Sequence, residues 1–156
     1  MNISEIKDDN ERLRKYRKHG FAKEALKDEN FFIRLIAHES LGYTKESLKD
    51  DYWGIRLRAN ETLGFTIEAT KDERPYIRLR AYENLGYTKE ALKDNYWKTR
   101  LRANETLGFT EEATKDRYWK IRLRAYETLG YTKEATKDKN PYIRQKAKKY
   151  FENKGE

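Results

Sequence analysis

The chain repeats itself every 22 residues. Written in blocks from Gly20, it gives six gapless registers that begin at Gly20, Gly42, Gly64, Gly86, Gly108 and Gly130. The block at 42–63, GYTKESLKDDYWGIRLRANETL, differs from the block at 86–107, GYTKEALKDNYWKTRLRANETL, at four places. A period of this length marks an array of small units, none of which buries its apolar face alone, so that stability comes from stacking on neighbours. Upstream, RLRKYRKHG (12–20) aligns with RLRANETLG (56–64), with His19 where Leu63 stands. Residues 1–19 therefore read as a degenerate capping half-repeat. Six repeats follow (20–41, 42–63, 64–85, 86–107, 108–129, 130–151), and 152–156 reads as a tail. Composition favours stacking over one compact core: Leu, Ile and Phe supply 29 of 156 residues and Val none, just under the roughly 20% at which a charged chain reads as disordered.

Each block predicts two helices. Thr at repeat position 3 suits an N-cap whose hydroxyl accepts a first-turn N–H, with Glu at position 5 near the positive end of the helix dipole. Gly at position 1 suits a left-handed residue that ends the preceding long helix. The aromatic after it (Phe21, Tyr43, Phe65, Tyr87, Phe109, Tyr131) is able to fold back on that helix. Pro75 and Pro141, both at position 12, fit the first turn of the long helix, where a missing N–H costs nothing. At about 100° per residue, positions 11, 12, 14, 16, 18 and 22 form the expected core arc, and 13, 17, 20 and 21 the outer face. The arc carries Ile55, Ile77 and Ile121 at 14, Leu57, Leu79 and Leu101 at 16, Ala59, Ala81 and Ala103 at 18, and Leu at 22.

Every copy keeps Asp at position 9 and Arg six residues later: Asp28/Arg34, Asp50/Arg56, Asp72/Arg78, Asp94/Arg100, Asp116/Arg122 and Asp138/Arg144. That Arg falls inside the apolar arc, where it needs a carboxylate or carbonyl partner, and the repeated Asp is the candidate, within a unit or between adjacent units. The bland reading is a buried structural ladder, the sharper one an anion-binding Arg column. The string D-x-x-P-x-I-R-x-x-A-x-x-x-L-G at Asp72–Gly86 resembles the second helix of HEAT-like repeats of the phycobilisome-lyase type. The short T-x-E-A-x-K-D segment is similar to the variant leucine-rich repeat. The resemblance covers about residues 20–151 and implies an all-α fold, a right-handed α-solenoid of six two-helix repeats that binds another macromolecule.

Among HEAT-like proteins, deoxyhypusine hydroxylase holds two irons with four His-Glu pairs on its second helices. Here that pair occurs once, His38-Glu39. Asn60-Glu61, Tyr82-Glu83, Asn104-Glu105, Tyr126-Glu127 and Lys148-Lys149 stand at the matching places, so ligands for such a site are missing and His38 reads as a helix-surface residue. With no Cys and two His, disulfides, thiolate metal sites and Cys nucleophiles are excluded, and no His-based triad or Gly-rich phosphate loop recurs. We expect no enzyme, no cofactor, no metal site and no catalytic residue. No apolar run approaches the roughly 18 residues of a membrane span, and the N-terminus lacks a signal-peptide core. The expectation is a cytoplasmic monomer without membrane contact.

Net charge is +8, which invites a nucleic-acid reading, but residues 42–85 are neutral while 130–151 hold seven Lys or Arg against two acids. Arg58, Arg80, Arg102 and Arg124 at position 17 form an outward column that Arg14 and Lys146 continue. Glu61, Glu83, Glu105 and Glu127 accompany it at helix-neighbour spacing. Trp53, Trp97 and Trp119 at position 12 each follow a Tyr and read either as inter-repeat packing or as an exposed anchor row. The leading expectation is a non-enzymatic scaffold that recognises a protein partner through Trp53, Trp97, Trp119, Arg58, Arg80, Arg102 and Arg124. The alternatives are a backbone-directed nucleic-acid binder using Lys146, Lys148 and Lys149, or a consensus-like or engineered array without an evolved partner.

Overall fold

The computed structural model describes residues 3–155, so Met1 of the expected cap and Glu156 of the expected tail lie outside the described residues, as does Asn2. Among the described residues the chain is all-helical, with no strand. Its α-helices are α1 (Asp9–His19), α2 (Phe31–Leu41), α3 (Trp53–Leu63), α4 (Pro75–Leu85), α5 (Trp97–Leu107), α6 (Trp119–Leu129) and α7 (Pro141–Lys154). The last continues three residues into the segment read as a tail. Short 3₁₀ turns alternate with them: Ile3–Glu5, Lys23–Lys27, Ser47–Lys49, Ile67–Lys71, Ala91–Lys93, Glu111–Lys115 and Lys133–Lys137. No helix of the described residues is long and apolar enough to cross a membrane.

The turns replace the first helix that the sequence predicted in each unit. Between Gly at position 1 and Asp at position 9 there is room for one nucleating turn and no propagation, and the tighter i→i+3 pattern closes it. Ala69 N donates to Thr66 O (3.0 Å) and Asp72 N to Ala69 O (3.3 Å). The threonine contributes its carbonyl and not its hydroxyl: Thr66, Thr110 and Thr132 make no side-chain cap bond. Thr44 instead donates its hydroxyl to Glu46, at 2.8 Å, which holds that carboxyl below its ordinary range.

The helix-closing glycines also depart from expectation. Gly42 has φ +92° and ψ +151°, and Gly108 has φ +93° and ψ +140°. Positive φ was foreseen, but the extended ψ takes these residues out of the left-handed helical region into one that only glycine adopts at low cost. The chain therefore leaves the helix abruptly, and the aromatic at position 2 does fold back. It stacks on position 19 of the helix just ended: Phe21 on Tyr16, Tyr43 on His38, Tyr87 on Tyr82 and Tyr131 on Tyr126, with centroids 5.6–6.0 Å apart.

The chain divides into two compact units, residues 1–81 and 82–156, with the division inside α4. In the first, Ile33, Ile55 and Ile77 at position 14 and Ala37, Ala59 and Ala81 at position 18 are buried, and Ala25 and Ala69 of the turns pack on them. In the second, Ile121, Ile143, Ala103, Ala125 and Ala147 do the same against Ala91, Ala113 and Ala135. Each enclosed Ile contributes on the order of 1.5–3 kcal/mol, and the alanines allow turn and helix to approach closely. Leu at position 22 was expected in this core and is not: Leu41, Leu63, Leu85, Leu107 and Leu129 stay 45–48% exposed. They are the last helical residues before the glycine turns away. Position 19, one turn after the buried Arg, takes the enclosed place.

Candidate functional site

The ladder of Asp and Arg is built from three local facts. Asp at position 9 ends the 3₁₀ turn, and its carboxylate accepts the N–H two residues on, as Asp72 does from Arg74 (2.8 Å) and Asp116 from Tyr118 (2.7 Å). That fixes the carboxylate at the entrance of the next α-helix. Arg at position 15 lies one turn inside that helix and folds back, donating through Nη1 to the carbonyl of its own unit's Asp: Arg34, Arg56, Arg78, Arg100, Arg122 and Arg144 all do so at 2.7–2.8 Å. The remaining edge of Arg12, Arg34, Arg56, Arg100 and Arg122 meets the Asp sixteen residues later. Arg12–Asp28, Arg34–Asp50 and Arg56–Asp72 in the first unit are bidentate at 2.7–2.9 Å. Arg100–Asp116 and Arg122–Asp138 in the second are bidentate in the same range. Both alternatives left open by the sequence are thus realised, the carbonyl within a unit and the carboxylate between units.

Burial alone would raise the Asp50, Asp72, Asp116 and Asp138 carboxyls, but the guanidinium bonds and the turn N–H outweigh it and hold all four below the usual carboxylate range. With both oxygens engaged, the rungs of Arg34, Arg56, Arg100 and Arg122 present no open anion site. Each is a tie between neighbouring segments.

Three of the four outward arginines sit as the sequence placed them, and Arg80 is instead half-buried. Arg58, Arg102 and Arg124 are 57–64% exposed, and each has a glutamate three residues on, Glu61 at 3.8 Å, Glu105 at 3.1 Å and Glu127 at 3.7 Å. Arg80 occupies the same position in α4. The tryptophans at the helix starts are half-buried and engaged: Trp53 packs against the Ala69, Ile77 and Ala81 core, Trp119 against that of Ile143 and Ala147, and Trp97 lies 4.3 Å from Tyr118. Lys98 and Lys120 lie over the Trp97 and Trp119 rings, at 5.7 Å each. Lys148 and Lys149 are exposed on α7, and Lys146 sits 5.5 Å from the Tyr142 ring.

Three grooves escaped the sequence reading. Each lies between consecutive 3₁₀ turns, with position 19 of the intervening α-helix at its base. One of about 530 Å³ is lined by Lys45, Leu48, Lys49, Asn60, Glu68 and Asp72. A second of about 440 Å³, in the other unit, repeats those positions with Lys89, Leu92, Lys93, Asn104, Glu112 and Asp116. The third, of about 520 Å³, has His38 in place of Asn, between Lys23 and Lys27 on one side and Thr44 and Glu46 on the other. Position 19 varies among Tyr, His, Asn and, in the last copy, Lys, where its neighbours hardly vary, and that irregularity was the available signal.

His38 is therefore not the surface residue expected from its place in the helix. It is 4% exposed, stacked on Tyr43 and 3.0 Å from Ser47 Oγ through Nδ1. Ser47 stands where other copies have Ala, so the serine and histidine form a matched polar pair. Burial pushes the His38 pKa down, Asp50 opposes this and Arg34 adds to it. Among the described residues no group of three or more His, Cys, Asp or Glu is arranged to hold a metal ion. Comparison with family models, with curated proteins and with solved structures finds no match.

Proposed function

We propose that the chain is a non-enzymatic binding scaffold for a protein partner, an α-solenoid of six HEAT-like or variant leucine-rich units that offers the outer helix face as a recognition surface. The observation that carries this reading is the state of Arg58, Arg102 and Arg124: well exposed, yet each steered by its glutamate. Charged side chains ordered before binding lose less entropy when a partner arrives. Half-buried Trp53, Trp97 and Trp119 on the same helices add rigid apolar area of the kind that concentrates binding energy. The helix-face arginines pair with carboxylates already present, which suits a mixed polar protein surface better than a phosphate backbone.

The test is affinity capture from nuclease-treated lysate with wild type and with Arg58→Ala/Arg102→Ala/Arg124→Ala. A discrete protein retained by wild type and lost from the triple variant is the expected outcome. Retention that vanishes with nuclease and depends on Lys146, Lys148 and Lys149 would replace this reading with nucleic-acid binding, whose affinity falls steeply with salt.

A further inference from the structure

The grooves between the 3₁₀ turns carry polar groups that the fold itself does not use. Asn60, 3% exposed, donates Nδ2 to Arg56 O at 2.9 Å. That bond fixes the amide, because the opposite orientation would set two carbonyl oxygens against each other. Its Oδ1 has no hydrogen-bond partner. A buried acceptor left unmatched costs about 1–3 kcal/mol, so a ligand donor that displaces the side chains enclosing this oxygen recovers interaction that folding forgoes. Asn104 repeats the tether to Arg100 O, 2.9 Å, at the base of the equivalent groove in the other unit.

His38 supplies the opposite polarity. Ser47 Oγ accepts from Thr44 N at 2.9 Å and lies 3.0 Å from His38 Nδ1; with the serine hydroxyl hydrogen on Nδ1, the neutral ring carries its proton on Nε2. Nε2 has no hydrogen-bond partner among the described residues. Two consecutive grooves of the first unit thus offer a donor and then an acceptor at their bases. Their rims are basic: Lys23, Lys27, Lys45 and Lys49 form no ion pair among the described residues, and Asp50 and Asp72 are committed to Arg34 and Arg56. Glu46 and Glu68 are the remaining acids, and Leu26 and Leu48 supply apolar wall.

We propose that these grooves hold an extended, acidic peptide segment of a protein partner, its main-chain N–H donating to Asn60 Oδ1 and its main-chain carbonyl accepting from His38 Nε2–H. Acidic side chains of the segment face the lysine rims and small apolar ones the leucine wall. A peptide backbone offers both donors and acceptors in alternation. A phosphodiester backbone offers acceptors alone and leaves Asn60 unmatched. The inference shares the protein-partner reading above but sets the contact on a different surface from the arginines and tryptophans of the helix face.

The test uses the full chain and a display library of random ten-residue peptides, with a labelled ten-nucleotide single strand as the phosphodiester probe. Selection is expected to enrich Asp- and Glu-rich peptides with interspersed apolar residues. Asn60→Leu, similar in volume and without the amide, should weaken the best peptide about three- to tenfold, the worth of one hydrogen bond. Lys45→Glu/Lys49→Glu, on exposed side chains, should weaken it further, and methylating one peptide nitrogen should reproduce the Asn60→Leu loss without touching the protein. Arg102→Ala/Arg124→Ala should leave peptide affinity unchanged, so failure of the helix-face reading and failure of this one are separable. No enrichment, enrichment of basic peptides, tighter binding of the oligonucleotide, or affinity insensitive to both groove variants would each overturn the proposal.

Discussion

Arg12 in α1 and Arg144 in α7 hold the same repeat position in different surroundings. Arg12 is 1% exposed and bonds Asp28 with two nitrogens, Asp9 with one of them and the Ile6 carbonyl with the third. Arg144 keeps the two carbonyl bonds, to Asp138 and Lys139, and meets no carboxylate among the described residues. What both share is the fold-back onto backbone; what differs is the Asp sixteen residues on. The comparison separates two jobs that the Asp–Arg spacing alone had merged. The carbonyl bonds brace the turn–helix junction inside one unit, and the carboxylate ties that unit to the next.

Removing Arg12 should therefore have the largest effect. Arg12→Ala leaves Asp28 buried without its cation and is expected to cost about 3–5 kcal/mol in urea or thermal unfolding. A wild-type midpoint would erase the distinction between the two arginines. Asp138→Asn should cost less, about 1–3 kcal/mol, because the neutral amide keeps one acceptor for Arg122 while losing the charge. It makes Arg122 resemble Arg144, and a loss as large as that from Arg12→Ala would show that the carboxylate is the whole of the tie.

Acid should divide the ladder from the histidine pair. His38 has a folded pKa below its unfolded value near 6.5, so its contribution is present above about pH 6.5 and lost as pH falls from there through the folded value. Asp50, Asp72, Asp116 and Asp138 also have depressed folded values, so their contributions hold above about pH 4 and are lost below it. Stability measured from pH 8 to 3 should fall in two stages, and His38→Phe should remove the first alone. Arg144→Ala, at the small end, should cost under about 1 kcal/mol.

Much of this was legible in the sequence. Ile at 14, Ala at 18, proline at the helix start and the pairing of Asp with Arg follow from period and chemistry, and the structure has them. The element between Thr and Asp was misread as a helix because pattern does not separate one 3₁₀ turn from a first α-turn in so short a segment. Position 22 was misplaced because Leu usually goes inside, whereas here the glycine after it carries the chain away. Position 19 was missed because Tyr16, His38, Asn60 and Tyr126 share no polarity. They share burial under the aromatic of the next turn, or a bond to the helix carbonyl, which only the folded chain reveals. The grooves depend on that position and were hidden with it.

Arg12, Arg34, Arg56, Arg100 and Arg122 each tie their own helix to the aspartate sixteen residues on, and a pair of double-mutant cycles tests this most directly. Arg56 bonds the Asp72 carboxylate but only the backbone carbonyl of Asp50. Unfolding of the single and double alanine variants should give a coupling of about 2 kcal/mol or more for Arg56 with Asp72, and within about 0.5 kcal/mol of zero for Arg56 with Asp50. The reverse order, or no coupling in either pair, would contradict the account.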